Sequence, residues 1–299
     1  QIRMENGRGG GIVANINHGT IDNVQVYNQV SVQSLFAYKD GTTSTAFLQS
    51  GTKRDLNYGS NIGGIAGQLV SQRGNITARI TNCIVGSNSN NIKDIVDSQK
   101  TLIYSHTKIG YGSEWATNRV GGIVGFVYGE SEVISSINMA EVNAWYDKAS
   151  SDGLGSPFSV GGIAGSIGIR NVDDQSKNSF VGGWSTSDKG KSPGHIVGCY
   201  NAGNVKLKNG WVAGITGYPA TGSTVISCYN TGRINIESKN GELQQIPFLK
   251  NQPIRIGGIV GESDGAKVLN CYNIGYMSGD ISTQSNSAAG SIMALPAYN

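Results

Sequence analysis

Two short signatures, repeated in alternation, constrain this chain more than anything else in it. The first reads Gly10-Gly11-Ile12-Val13-Ala14, Gly63-Gly64-Ile65-Ala66-Gly67 and Gly121-Gly122-Ile123-Val124-Gly125. It returns as Gly161-Gly162-Ile163-Ala164-Gly165, Ala213-Gly214-Ile215-Thr216-Gly217 and Gly257-Gly258-Ile259-Val260-Gly261. The second follows each copy and is clearest as Val197-Gly198-Cys199-Tyr200-Asn201, Ile226-Ser227-Cys228-Tyr229-Asn230 and Leu269-Asn270-Cys271-Tyr272-Asn273. Weaker forms run Thr81-Asn82-Cys83-Ile84-Val85 and Ile134-Ser135-Ser136-Ile137-Asn138, and a first copy around Val24 to Asn28 aligns in two ways that differ by two residues. Self-similarity at such a period marks a chain built of stacked units.

The apolar runs in each unit are four to seven residues long and bounded by glycine or asparagine, which is the pattern of strands. A two-strand unit cannot bury a hydrophobic face by itself. Stacking the units does, with equivalent strands about 4.8 Å apart and equivalent residues piled into columns. The expectation is therefore an all-β fold, a right-handed parallel β-helix (β-solenoid) of about six irregular coils with long loop insertions. It forms a single elongated domain over 1–299, with repeat cores near 10–32, 62–87, 120–142, 160–207, 212–236 and 256–279, and 280–299 as a cap or continuation.

The columns carry specific expectations. Ile12, Ile65, Ile123, Ile163, Ile215 and Ile259 form the main apolar column, and the cysteines, with Ser136 and Val24, form a second one of small side chains. Parallel side chains strain a bridge between ladder neighbours, so the four thiols are expected free. Alternation puts Val225, Ser227 and Tyr229 on one face and Ile226, Cys228 and Asn230 on the other. Asn138, Asn201, Asn230 and Asn273 suit left-handed backbone or amide stacking. Gly203, Gly232 and Gly275 suit turns with positive φ, and the paired glycines suit close approach of two coil walls.

Composition agrees with an elongated fold. Glycine supplies 44 residues and proline 6, and at 14% charged the chain is too weakly charged for disorder. The net charge of +3 is spread along the chain, so nucleic acid is not an expected partner. No apolar stretch approaches the roughly 20 residues that span a bilayer, so no membrane insertion by this fragment is expected. Beginning at Gln1 without a signal-like segment, the sequence reads as a mature or excised fragment.

The Gly-Gly-Ile-Val-Gly and Asn-Cys-Tyr-Asn-x-Gly elements resemble the Glug repeats of bacterial cell-surface proteins. Such repeats occur in adhesin-like proteins and in the non-catalytic regions of Gram-positive immunoglobulin A-cleaving zinc metalloproteases. The resemblance covers the repeat cores, about half the chain. It implies an extracellular setting, at the bacterial surface or secreted, and neighbouring domains in a longer chain. It brings no catalytic residue with it, because the matching residues are the packing residues.

Chemical motifs are absent from the sequence: there is no His-Glu-x-x-His, no P-loop and no clustered cysteine or histidine set, so neither a metal nor a cofactor is expected. The acidic pairs Asp173-Asp174, Glu130-x-Glu132 and Glu262-x-Asp264 suit solvated turns first, a loop-bound calcium ion second and a catalytic dyad least. Uneven spacing leaves insertions at 33–61, 88–119, 143–159 and 237–255 after the cysteine strand, and at 166–194 before it. Four would emerge along one edge, where recognition on a rigid scaffold belongs. Their aromatic residues, Tyr104, Tyr111, Trp115, Trp145, Tyr146 and Trp184, are the candidate ligand-binding set, able to stack on sugars or anchor a protein. Arg119 and Trp211, beside core strands, read as structural. The functional expectation is a non-catalytic surface module, either an adhesive or ligand-binding scaffold for a host protein or glycan, or a spacer or substrate-recognition region of a larger protein. The alternative is a carbohydrate-active β-helix enzyme, a polysaccharide lyase or hydrolase.

Overall fold

The computed structural model describes residues 2–4, 8–26, 31–36, 61–71, 77–86, 102–110, 118–149, 158–168, 193–208, 210–236, 254–279 and 287–295. Throughout these residues the chain is all-β, and its strands pair parallel and in register from one coil to the next. It is a β-solenoid. Each coil carries five short strands, so five parallel sheets run along the axis.

Sheet I holds the strand entering the glycine pair, for example Asn118–Gly121, Phe158–Gly161 and Gly210–Ala213. Sheet II follows it, as Val124–Tyr128, Ala164–Ile167 and Thr216–Pro219. Sheet III holds Ser131–Ile134, Gly194–Val197 and Thr224–Ile226. Sheet IV is two residues wide, as in Ile137–Asn138, Tyr200–Asn201 and Tyr229–Asn230. Sheet V closes the coil with Glu141–Ala149, Val205–Leu207 and Ile234–Ile236. Six coils contribute to all five sheets, at 8–36, 61–110, 118–149, 158–207, 210–236 and 255–278. Ile2–Met4 starts sheet V ahead of them, and Ala288–Gly290 and Met293–Leu295 add a partial seventh coil to sheets I and II.

Five strands per coil, rather than two, place part of the apparent insertions in the sheets. Leu102–Gly110 and Glu141–Ala149 are nine-residue strands of sheet V, paired with each other from Leu102↔Glu141 to Gly110↔Ala149. The segments 37–60, 111–117, 150–157 and 237–253, outside the described residues, each connect sheet V to sheet I of the next coil.

The core is the expected stack of columns. Ile65, Ile123, Ile163, Ile215 and Ile259 are fully buried, whereas Ile12, in the first coil, is 52% exposed. Burying each such side chain stabilises the fold by about 1.5–3 kcal/mol. The cysteine column also forms, in the order Val24, Cys83, Ser136, Cys199, Cys228 and Cys271, and all four thiols are free.

The alternation expected across the corner is out of phase. Val225, Cys228 and Asn230 all point inward, while Ile226, Ser227 and Tyr229 point out. The cause is a left-handed residue immediately before the cysteine position: Asn23, Asn82, Ser135, Gly198, Ser227 and Asn270 have φ of 54, 52, 47, 63, 53 and 53°. One such residue turns the chain from sheet III to sheet IV and shifts the in–out phase by one. The side chain that follows then closes the corner. Cys83, Cys199, Cys228 and Cys271 donate through Sγ to the carbonyl two residues back, and Ser136 Oγ donates to Ile134 in the same way. Small side chains with a donor recur here because the turn uses the donor.

The asparagine column stacks its amides instead of adopting left-handed backbone. Asn138 Nδ2 donates to Asn201 Oδ1 at 2.8 Å, Asn201 to Asn230 at 2.7 Å and Asn230 to Asn273 at 2.7 Å. Glycines opposite make room for it. A methyl on Gly162 would sit 2.2 Å from Asn201 Cγ, and one on Gly203 1.9 Å from the Ala140 carbonyl oxygen. Gly203, Gly232 and Gly275 therefore answer to crowding, and none of them has positive φ.

Outside the tube, sheets I and II meet at a concave corner and pack on each other through residues seven apart. Asn61 Nδ2 donates to Gln68 Oε1 at 3.0 Å, the Arg119 guanidinium lies 4.2 Å from the Phe126 ring centre, Trp211 packs on Tyr218 at 5.3 Å, and Arg255 Nε meets Glu262 Oε2 at 2.9 Å. This small external core fixes the angle between the two sheets.

Candidate ligand-binding surface

The aromatic residues singled out in the sequence divide in two. Tyr111, Trp115 and Trp184 lie outside the described residues. Tyr104, Trp145 and Tyr146 belong to strands of sheet V rather than to loops: Tyr104 pairs with Asn143, Trp145 with His106 and Tyr146 with Thr107. The register thus sets Tyr104 and Trp145 two rungs apart on adjacent strands of the second and third coils.

The described aromatic array is a different one. Alternation after the left-handed corner turns the middle residue of each Cys-Tyr-Asn triplet outward, and the parallel register stacks the three tyrosines. Tyr200 and Tyr229 have ring centres 4.2 Å apart at 15°, and Tyr229 and Tyr272 are 5.1 Å apart at 9°. Aromatic pairs of this kind add about 0.5–1.5 kcal/mol each beyond the area they cover. The Tyr200 hydroxyl is held 2.7 Å from Thr231 Oγ1 on the next coil. Tyr229 ionises above its ordinary value, first through partial burial and then through the Tyr200 and Tyr272 phenols beside it.

The column shows solvent a row of ring edges and hydroxyls along sheet IV. On the last described rung of the column Tyr272 is 52% exposed, and Leu269, Ile274 and Tyr276 of the same coil are exposed as well. The sequence carries the column as three Cys-Tyr-Asn triplets, in which the tyrosine is hidden between two residues whose own columns are plainer.

The carboxylates on the neighbouring sheet III are engaged. Glu132 pairs with Arg79 of the coil before at 2.6 Å, and Glu130 Oε2 lies 3.0 Å from His195 Nε2 of the coil after, whose Nδ1 is 2.9 Å from Thr224 Oγ1. Glu262 is held by Arg255, and Asp173-Asp174 lies outside the described residues. Among the described residues, no three His, Cys, Asp or Glu side chains group as a metal site, and no helix is long and apolar enough to cross a membrane.

Inside the tube Cys83, Cys228 and Cys271 resist ionisation. Cys228 is pushed up to about 12, first by its hydrogen bond with Cys199 and further by burial. Cys271 is raised mainly by its hydrogen bond with Cys228, and Cys83 by burial. A thiol with an ordinary value of 9.0 loses its proton earlier in the unfolded chain than in the folded one. Stability is therefore full below about pH 9 and falls as pH rises from there toward about 12. The urea midpoint is expected to drop between pH 8 and pH 11, and to drop less in Cys228→Ser. A midpoint flat across that range, or an equal drop in the variant, contradicts the assignment.

Compared with protein-family models, with curated proteins and with solved structures, the chain matches none of them.

Proposed function

We propose that the chain is a rigid, non-catalytic ligand-binding module of an extracellular bacterial protein, and that the tyrosine column of sheet IV is its recognition surface. The observation that carries this is the stack of Tyr200, Tyr229 and Tyr272 on a sheet whose rungs are paired in register with one another. Rigid aromatic side chains supply contact area with little conformational entropy to lose, and their hydroxyls add hydrogen bonds. Both features suit a sugar chain or a host glycoprotein. The Glug-like repeat signatures support a surface or secreted setting, where such a module acts as an adhesin or as the substrate-recognition or spacer region of a larger enzyme. A polysaccharide-active enzyme is less well supported, because Glu130, Glu132 and Glu262 are each engaged with a basic partner.

The test is binding to a panel of immobilised glycans and host glycoproteins, with the double variant Tyr200→Ala/Tyr229→Ala beside the parent. A ligand of the column should lose at least tenfold in affinity, while circular dichroism and the cooperativity of unfolding are retained. Unchanged affinity in a folded double variant sinks the proposal.

A further inference from the structure

We infer, resting on the tyrosine column as the recognition surface, that its ligand is an uncharged, linear glycan that lies along the solenoid axis and meets one tyrosine per coil. Charge, period and hydrogen-bonding groups on the face of sheet IV each point to that class.

The face consists of three outward rows. In the fourth and fifth coils Gly198 and Ser227 stand exposed at the corner, Tyr200 and Tyr229 run down the middle, and Ala202 and Thr231 line the far side. From the third coil to the sixth the same rows hold no charged residue. Charges on the adjoining sheets are engaged with one another: Glu132 with Arg79, His195 with Glu130, and Lys206 with Glu141. Arg233 is exposed at the margin, beside Thr231 of the fifth coil. A polyanionic chain is recognised by cations repeated along its track, and no row of this face supplies them.

The period of the face suits a sugar chain better than a peptide. Successive tyrosine positions are one storey apart, about 4.8 Å. Like-facing side chains of an extended strand recur at about 6.6 Å, twice the rise per residue, and fall out of step at once. A polyproline helix turns once in about 9.3 Å and meets every second tyrosine at best. A linear pyranose chain advances by about one ring width per unit, close to one storey, and carries hydroxyls at each step.

Hydroxyls are what the column offers in return. The Tyr200 hydroxyl lies 2.7 Å from Thr231 Oγ1, while those of Tyr229 and Tyr272 make no hydrogen bond among the described residues. Because the rings stack at 4.2 and 5.1 Å, a ligand alongside meets ring edges and phenols rather than ring faces. It is held by hydrogen bonds to the phenols, with Ala202 and the Thr231 methyl group as apolar contact.

The probes are neutral cello-, manno- and N-acetylchito-oligosaccharides, with chondroitin sulfate and polygalacturonate oligosaccharides of matched length, titrated calorimetrically into the full 299-residue chain. A neutral series should bind at least tenfold more tightly than either anionic one and gain at least tenfold in affinity between two and four units. Its affinity should change less than twofold between about 50 and 500 mM salt, a range over which screening shortens several-fold. Tyr229→Phe, which keeps the stack and removes one hydroxyl, should cost at least fivefold, and Arg233→Gln should leave affinity unchanged. Tighter binding of an anionic series, a salt-dependent affinity, full affinity in Tyr229→Phe, or binding of no oligosaccharide overturns the inference. So does a host glycoprotein that still binds the column after its glycans are removed enzymatically. Failure of the column itself looks different: a bound ligand whose affinity is unchanged in folded Tyr200→Ala/Tyr229→Ala.

Discussion

Gly162→Ala is expected to destabilise the protein by about 3 kcal/mol or more, the upper range for overpacking a well-filled interior. Gly162 has no positive φ, so the added methyl meets no backbone penalty. It meets matter instead: Asn201 Cγ at 2.2 Å, the Gly214 carbonyl oxygen at 2.2 Å and Asn201 Nδ2 at 2.5 Å. Neither neighbour can give way cheaply, since the carbonyl belongs to the next coil and the amide is bonded to rungs on both sides. Gly19→Ala is the matched control. Gly19 has φ of 95° and nothing within 4 Å of the new methyl, so it reports conformational strain alone, about 1–2 kcal/mol. Urea unfolding of the two variants separates the effects. A Gly162→Ala midpoint no lower than that of Gly19→Ala would falsify the claim that space sets the glycine pair.

The second large effect belongs to the amide ladder. Asn201→Leu keeps the volume but removes two axial hydrogen bonds, to Asn138 and Asn230, and the bond to the Gly203 carbonyl. All three asparagines are fully buried, so the groups left behind have no water to turn to. Each orphaned buried group costs about 1–3 kcal/mol, giving about 4 kcal/mol for the substitution. Asn273→Leu, at the half-buried end of the ladder, removes one axial bond and two bonds with Gly275, but water can reach the groups left behind, so it should cost about 1–2 kcal/mol. Equal losses from the two variants, measured by urea unfolding, would show that the rungs do not act through one another. Because each coil touches only its neighbours, hydrogen exchange in Asn201→Leu should accelerate first in the third to fifth coils.

The columns of this fold are legible in the sequence because parallel in-register stacking repeats a residue type wherever an environment repeats. Ile65, Cys199 and Asn230 each announce a storey in that way. Less legible is whatever does not repeat by letter. Sheet V is spelled Leu102–Gly110 in one coil and Ile234–Ile236 in another, and so passes for inserted loop. The left-handed corner is occupied by asparagine, serine or glycine, three residues that tolerate one backbone conformation and share no other property. Missing that corner misplaces Tyr229 relative to Val225, and hides the tyrosine column. The seven-residue pairing of Arg119 with Phe126 and of Trp211 with Tyr218 is likewise invisible, because its chemistry changes from coil to coil while its geometry stays the same.

A last consequence follows from the corner that every coil turns in the same way. Each storey leaves sheet V and enters sheet I at equivalent points, and each shows the storeys on either side the same inventory of contacts. Cutting out residues 210–253 would therefore join compatible ends and bring Tyr200 onto Tyr272 and Asn201 onto Asn273, pairs already of the right kind. Genetic loss or duplication of one whole turn shortens or lengthens such a rod without redesigning any surface. The distance across which a protein of this construction reaches is thus open to variation in steps of about 4.8 Å.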